Sequence, residues 1–165
     1  MNQLKTGYNP LHYTLPTLYA LGPTNQAIPN ATWTDVTFNK PPVINAYGFA
    51  SGSGTFVDAI MPLTALYLIM GEVTFAANAT GTRGIRIVQD AVFPLGTNMV
   101  PATLLADGNQ SLSTPTIQAL VVTGHTLRIQ CYQSSGGALN ILANGLEAPQ
   151  MEIGCLYNLG GAFTA

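Results

Sequence analysis

Charge is what this chain has least of. Five basic and seven acidic residues among 165 amount to 7%, where a soluble domain carries roughly 25%. A protomer so poor in charge leaves uncharged surface that must be covered, because extended apolar surface marks a contact site. Long apolar runs are missing too: none reaches the roughly 18 residues that a membrane-spanning helix needs. Other protein chains are the expected cover, so the protomer is expected to be complete only within a closed oligomer or larger assembly.

The basic residues are scattered from Lys5 to Arg128 and the formal net charge is −2. Without a basic stripe or a polybasic patch, nucleic acid and membrane are not expected partners. The opening MNQLKTGYNPLHYTLPTLYALG has one Lys and is broken by Pro10, Pro16 and Pro23, which makes a poor secretory signal. Cysteine is nearly absent. Cys131 and Cys155 could form one bridge but no disulfide framework, and CxxC spacing does not occur. Buried free thiols are the simpler reading in a reducing cytoplasm.

Catalytic groups are equally thin. His12 and His125 have no ligand partner at metal spacing, and Asp35, Asp58, Glu72, Asp90, Asp107, Glu147 and Glu152 fall on separate predicted elements. GxSxG and GxGxxG are absent; Gly52-Ser53-Gly54 runs into the strand-like Thr55-Phe56-Val57 instead of a helix. No catalytic residue, cofactor or metal site is expected, and the chain does not read as an enzyme. Three sequons, at Asn30, Asn78 and Asn109, read as turns.

What the chain has in quantity is 17 Gly and 11 Pro, spread so as to punctuate many short segments. Residues 1–30 carry prolines at 10, 16, 23 and 29 with Tyr8, Leu11, Tyr13, Leu15, Leu18, Tyr19 and Leu21 among them, and no sustained period. This predicts an extended arm, too aromatic for a free tail, that docks on a neighbour through Tyr8, Tyr13, Leu18 and Tyr19. Residues 31–165 read as one all-β domain, with strands at Thr32–Phe38, Val43–Phe49, Thr55–Ile60, Leu66–Phe75, Arg83–Gln89, near Ala102–Ala106, Thr116–Val122, Thr126–Gln133, Ala138–Ala143 and Met151–Tyr157.

Alternation is clearest in Thr126–Gln133, where Leu127, Ile129 and Cys131 share one face and Arg128, Gln130 and Tyr132 the other. Leu66–Phe75 is apolar on both sides: Leu66, Leu68 and Met70 on one, Tyr67, Ile69, Val73 and Phe75 on the other. A strand buried on both sides of a two-layer sandwich needs cover from another subunit, or from the N-terminal arm. Arg83 and Arg86 are expected to pair with acids at strand ends, and Trp33 to anchor the arm on the sandwich.

The order of three segments is specific. LYLIMGEVTFAAN from Leu66, GTRGIRI from Gly81 and LVVTGHTLRIQCYQSSG from Leu120 resemble the tumour necrosis factor and complement-head jelly-roll superfamily. The likeness is strongest to the versions found in structural proteins of tailed bacteriophages, and covers roughly residues 32–157. Ala65 stands where a Gly is usual, and His125 where an Asp follows the turn Gly, so no calcium site is carried over.

The resemblance implies a ten-strand jelly roll forming a threefold homotrimer, with one sheet of each protomer facing the axis. Tyr67, Ile69, Phe75 and Tyr132 are the candidate seam residues. The expected role is a virion structural protein, assembled in the host cytoplasm: a capsid decoration or cement protein, or a short head or tail fibre, held to capsid or tail proteins by its arm. The alternative is a receptor-binding tip that recognises a host surface glycan through loops at Gly52–Gly54, Gly96–Val100 or Asp107–Ser113.

Overall fold

A computed structural model describes residues 15–22, 24–50, 54–103 and 108–158. Among these, thirteen strands form two antiparallel sheets. The larger sheet contains β1 (Thr17–Leu21), β2 (Gln26–Ile28), β4 (Ile44–Ala46), β6 (Ala65–Phe75), β9 (Gln110–Ser113), β10 (Ile117–Val121), β12 (Leu139–Ile141) and β13 (Gln150–Asn158). The smaller contains β3 (Thr34–Asp35), β5 (Ala59–Ile60), β7 (Thr82–Gln89), β8 (Phe93–Pro101) and β11 (Thr126–Gln133).

Strand β6 is the spine of the larger sheet. Along one edge it pairs with β13 and then β12; along the other it pairs with β10 and then β9. Beyond β13 the sheet continues through β1 to β4. The smaller sheet runs β3, β11, β7, β8.

The core lies between the sheets and follows the period of two. Tyr67, Ile69, Val73 and Phe75 of β6 point inward with Leu18 of β1, against Ile85 and Ile87 of β7 and Leu127, Ile129 and Cys131 of β11, all buried. Each such Leu, Ile or Phe contributes about 1.5–3 kcal/mol by leaving water. The inward position of β6 between Ile69 and Val73 is Gly71, where a Cβ would sit 2.6 Å from Cδ1 of Ile129. The sheets approach there as closely as a missing side chain allows. Cys131 and Cys155 are buried free thiols, one in each sheet.

The structure corrects the arm. Residues Thr17–Leu21 and Gln26–Ile28 are strands of the sandwich, with Leu18 and Ala20 fully buried. Their alternation is short and lies among prolines, which hid it. Gln26 also ties this region to the domain: its Nε2 donates to Asp35 O and its Oε1 accepts from Thr37 N. Leu18 and Tyr19 therefore belong to the domain; Tyr8 and Tyr13 lie outside the described residues. The strand expected near Ala102–Ala106 is absent at 102–103, and the rest of that span lies outside the described residues. Strands occur instead at β8 and β9, flanking it.

Candidate assembly face

The outward face of the larger sheet is built in rows set by strand register. Leu120 and Tyr157 both stand beside Leu66, Tyr157 after a bulge that follows Cys155. The next row holds Gln118, Leu68, Gly154, Thr17 and Ala46; the one after it Met70, Glu152, Tyr19 and Ile44. A last row carries Glu72, Gln150 and Leu21. Leu120 is 57% exposed and Tyr157 63%, with Met70 and Ile44 also exposed. Gly154 has nothing near its missing side chain, which leaves a trough of about 350 Å³ lined by Thr17, Tyr19, Ile44, Leu68, Met70 and Glu152. Concave, apolar and rimmed by few polar groups, this is the surface a partner chain would cover.

The opposite face, on the smaller sheet, carries an internally satisfied polar network beside the exposed apolar side chains of Ile60 and Met99. Arg128 donates from Nε and Nη2 to both carboxylate oxygens of Asp58, each at 2.7 Å, and from Nη1 to Asp35 at 2.7 Å. Those bonds, that to Asp58 first, hold the Arg128 guanidinium above its ordinary pKa. Gln130 Nε2 donates to the other oxygen of Asp35 at 2.7 Å, and its Oε1 accepts from Arg86 Nε and Nη2. The Arg86 guanidinium lies 4.1 Å from the centre of the Trp33 ring, which also packs 5.4 Å from Tyr132. Gly84 makes room: a Cβ there would lie 3.0 Å from the indole. Among the described residues, Trp33 thus anchors on the smaller sheet.

Arg83 has no acid. Fully buried, it donates from Nη1 to the carbonyls of Thr80 and Thr82 and from Nη2 to that of Asn78, with its Nε unpartnered and the guanidinium over the Phe75 ring. Burial pushes its pKa down. Gly81, at φ +80°, closes this loop against Ser134, whose carbonyl would meet a Cβ at 2.0 Å. The expectation that Arg83 and Arg86 pair with acids fails because carbonyls and Gln130 meet their donors instead.

The seam residues are also placed differently from expectation. Tyr67, Ile69 and Phe75 are fully buried inside the protomer, and Tyr67 donates its hydroxyl to Leu63 O at 2.8 Å. Tyr132 lies on the smaller sheet against Trp33. The outward set of β6 is Leu66, Leu68 and Met70, and the signal that marks it is Glu72, which shares their parity along the strand. A carboxylate does not belong in a dry core.

The glycan loops are not confirmed as loops. Gly96–Val100 lies within β8 and Gln110–Ser113 is β9, while Gly52, Ser53 and Asp107 lie outside the described residues. Among the described residues, no group of three or more His, Cys, Asp and Glu gathers as a metal site would need.

No family profile matches this chain, and no curated protein matches its sequence. Solved structures do match. Murine APRIL at pH 8.5 superposes with a TM-score of 0.61 and 13% identity over 86% of this chain and 99% of its own; the pH 8.0 structure gives 0.62. The Eiger TNF of S. frugiperda gives 0.56 and 10% identity over 92% of this chain and 98% of its own. At such identities the likeness is one of fold: the chain is all-β, with the jelly roll of these tumour necrosis factor-type structures.

Proposed function

We propose that this chain is a self-assembling virion structural protein, a homotrimeric jelly roll serving as a capsid decoration or cement protein or as a short head or tail fibre. The observation that carries self-assembly is the outward face of the larger sheet, where Met70, Leu120, Tyr157 and Ile44 are exposed and Leu68, Met70 and Ile44 line a trough. The smaller sheet supports the same reading from the other side. The Arg128, Asp35 and Asp58 charges are paired within the protomer and so are not needed for a contact with another copy. The virion context is supported by the order of the Leu66, Gly81 and Leu120 segments, which resembles phage structural proteins of this fold. Residues 1–14, which precede the sandwich, are the proposed attachment to capsid or tail proteins.

The test has two parts. Mass in native solution should be three times that of the chain, and Leu120→Glu, at an exposed site, should dissociate it without altering its circular dichroism. Purified particles should contain the protein, located by electron microscopy on capsid or tail. A single-chain species at micromolar concentration overturns self-assembly; particles lacking it overturn the virion role.

A further inference from the structure

The two ends of the sandwich differ in character. At one end β6 begins, β7 turns into β8, and β10 turns into β11. There Leu15, Ile60, Val92, Phe93, Val122 and Leu156 are all exposed, Val92 by 66% and Phe93 by 63%. At the other end the described loops, 76–81 and 134–138, expose no large apolar side chain. Single exposed apolar residues are ordinary, but six gathered at one end make a contact surface.

The turns that carry this surface are held in one shape. Val92 N donates to Gln89 O, closing a two-residue turn whose central residues, Asp90 and Ala91, both have positive φ. Alanine is strained in that conformation, and strain of this kind clusters at functional surfaces. Asp90 bonds to Thr126 N and to His125, which ties the hairpin to the turn after β10. Ile60 stands in register with the same Thr126. Asp90 and His125 are also the sole titratable side chains of the turns at 61–64, 89–93 and 122–125, and they are bonded to each other. A partner at this end needs no charge.

Side-by-side assembly through the larger sheet leaves the end open, because the strand ends lie outside the sheet's face. The chain itself points to the cover. Cys155 N donates to Pro16 O, so Leu15 lies beside Leu156 and the proposed attachment segment, residues 1–14, leads into the sandwich here. Any surface held by that segment is brought against these turns at high effective concentration.

Resting on the virion reading above, we infer that this end of the sandwich is a second contact for the same capsid or tail protein, whose matching surface is apolar and uncharged. The segment tethers the two, while Ile60, Val92 and Phe93 form a contact that excludes water and resists salt.

A cysteine at the hairpin tip tests it, since Cys131 and Cys155 are buried. Val92→Cys should react with a maleimide in the purified protein and be protected in purified particles, before and after a high-salt wash. Val92→Asp combined with Phe93→Asp should lower the copies per particle at least about tenfold, with native mass and circular dichroism unchanged. Ala79→Asp, at the other end, should leave the copy number as it is. Equal labelling in both states, or full incorporation of the doubly charged variant, overturns the contact and leaves the virion role standing. So does protection in the purified protein: a doubled native mass then assigns the end to a second copy, and an unchanged mass to the chain's own flanks. Particles that lack the wild-type protein overturn both.

Discussion

Asp90 and His125 join two turns of the smaller sheet, with His125 Nδ1 2.6 Å from Asp90 Oδ2. The other carboxylate oxygen accepts from the backbone N–H of Thr126 at 2.9 Å. That N–H first, and the imidazole second, hold the Asp90 carboxyl below its ordinary range. A carboxyl whose pKa is depressed by folding adds stability above its unfolded pKa, and loses it as pH falls through the folded value. Urea midpoints of wild type and Asp90→Asn should therefore differ by a constant amount near neutrality, and converge below the ordinary carboxylate range. A gap that persists undiminished into strong acid would show that the carboxylate is not what joins the turns.

The same hairpin carries backbone strain. Asp90 and Ala91 sit at φ +50° and +59°, a conformation that Asp tolerates and Ala does not. Ala91 is exposed and its side chain contributes no core contact. Replacing it with glycine should stabilise the fold by about 0.5–1 kcal/mol, seen as a higher melting temperature. A lower melting temperature would mean that the backbone at Ala91 is not strained.

Gly71 and Ile129 test how tightly the sheets meet. Gly71→Ala places a methyl against Cδ1 of Ile129 and should cost about 1–3 kcal/mol. Ile129→Val, which deletes that atom, should cost about 0.5–1.5 kcal/mol alone. The double variant should lose clearly less than the two single losses together, because one methyl replaces the other. Strict additivity in denaturant titrations would place the conflict elsewhere.

Tyr67 contributes to the alkaline limit together with the Cys131 and Cys155 thiols, whose pKa values burial also pushes up. Burial is the main cause that raises its phenol to about 12, against a partial lowering by the bond to Leu63. A raised phenol pKa makes the native state hold its proton longer, so stability is complete below the ordinary value near 10 and falls as pH climbs toward 12. Tyr67→Phe should lose on the order of 1 kcal/mol at neutral pH, with the hydrogen bond, and show a flatter decline above pH 10. An equally steep decline in Tyr67→Phe would assign the alkaline loss to another group.

How much was legible depended on where the information lay. The central strands were readable because alternation there is undisturbed: β11 falls at Thr126–Gln133 as expected, and β6 and β7 shift by a single residue at one end. Strand β8 was hidden by Pro94, Gly96 and Pro101, residues that mark turns elsewhere and are tolerated here because β8 is an edge. The likeness to a tumour necrosis factor-type fold was legible from three ordered segments. The ion pairs were not. Arg128 and Asp58 are 70 positions apart, and nothing local distinguishes Asp58 from Glu72. For the apolar face the necessary clue was present, in the parity of Glu72 with Leu66, Leu68 and Met70, but the aromatic weight of Tyr67 and Phe75 pointed to the wrong side.

One feature of the topology bears on orientation. Pro16 O accepts from Cys155 N, and Asn158 is in register with Ala65, so the described chain enters and leaves side by side at one pole of the barrel-like sandwich. The loops around Arg83 and Ser134 lie at the far pole, beyond Phe75. A tether or fused cargo at either flank would emerge from the first pole and leave the second unobstructed. In any ring whose axis follows the strands, every copy would share that polarity, giving the assembly a root and a crown.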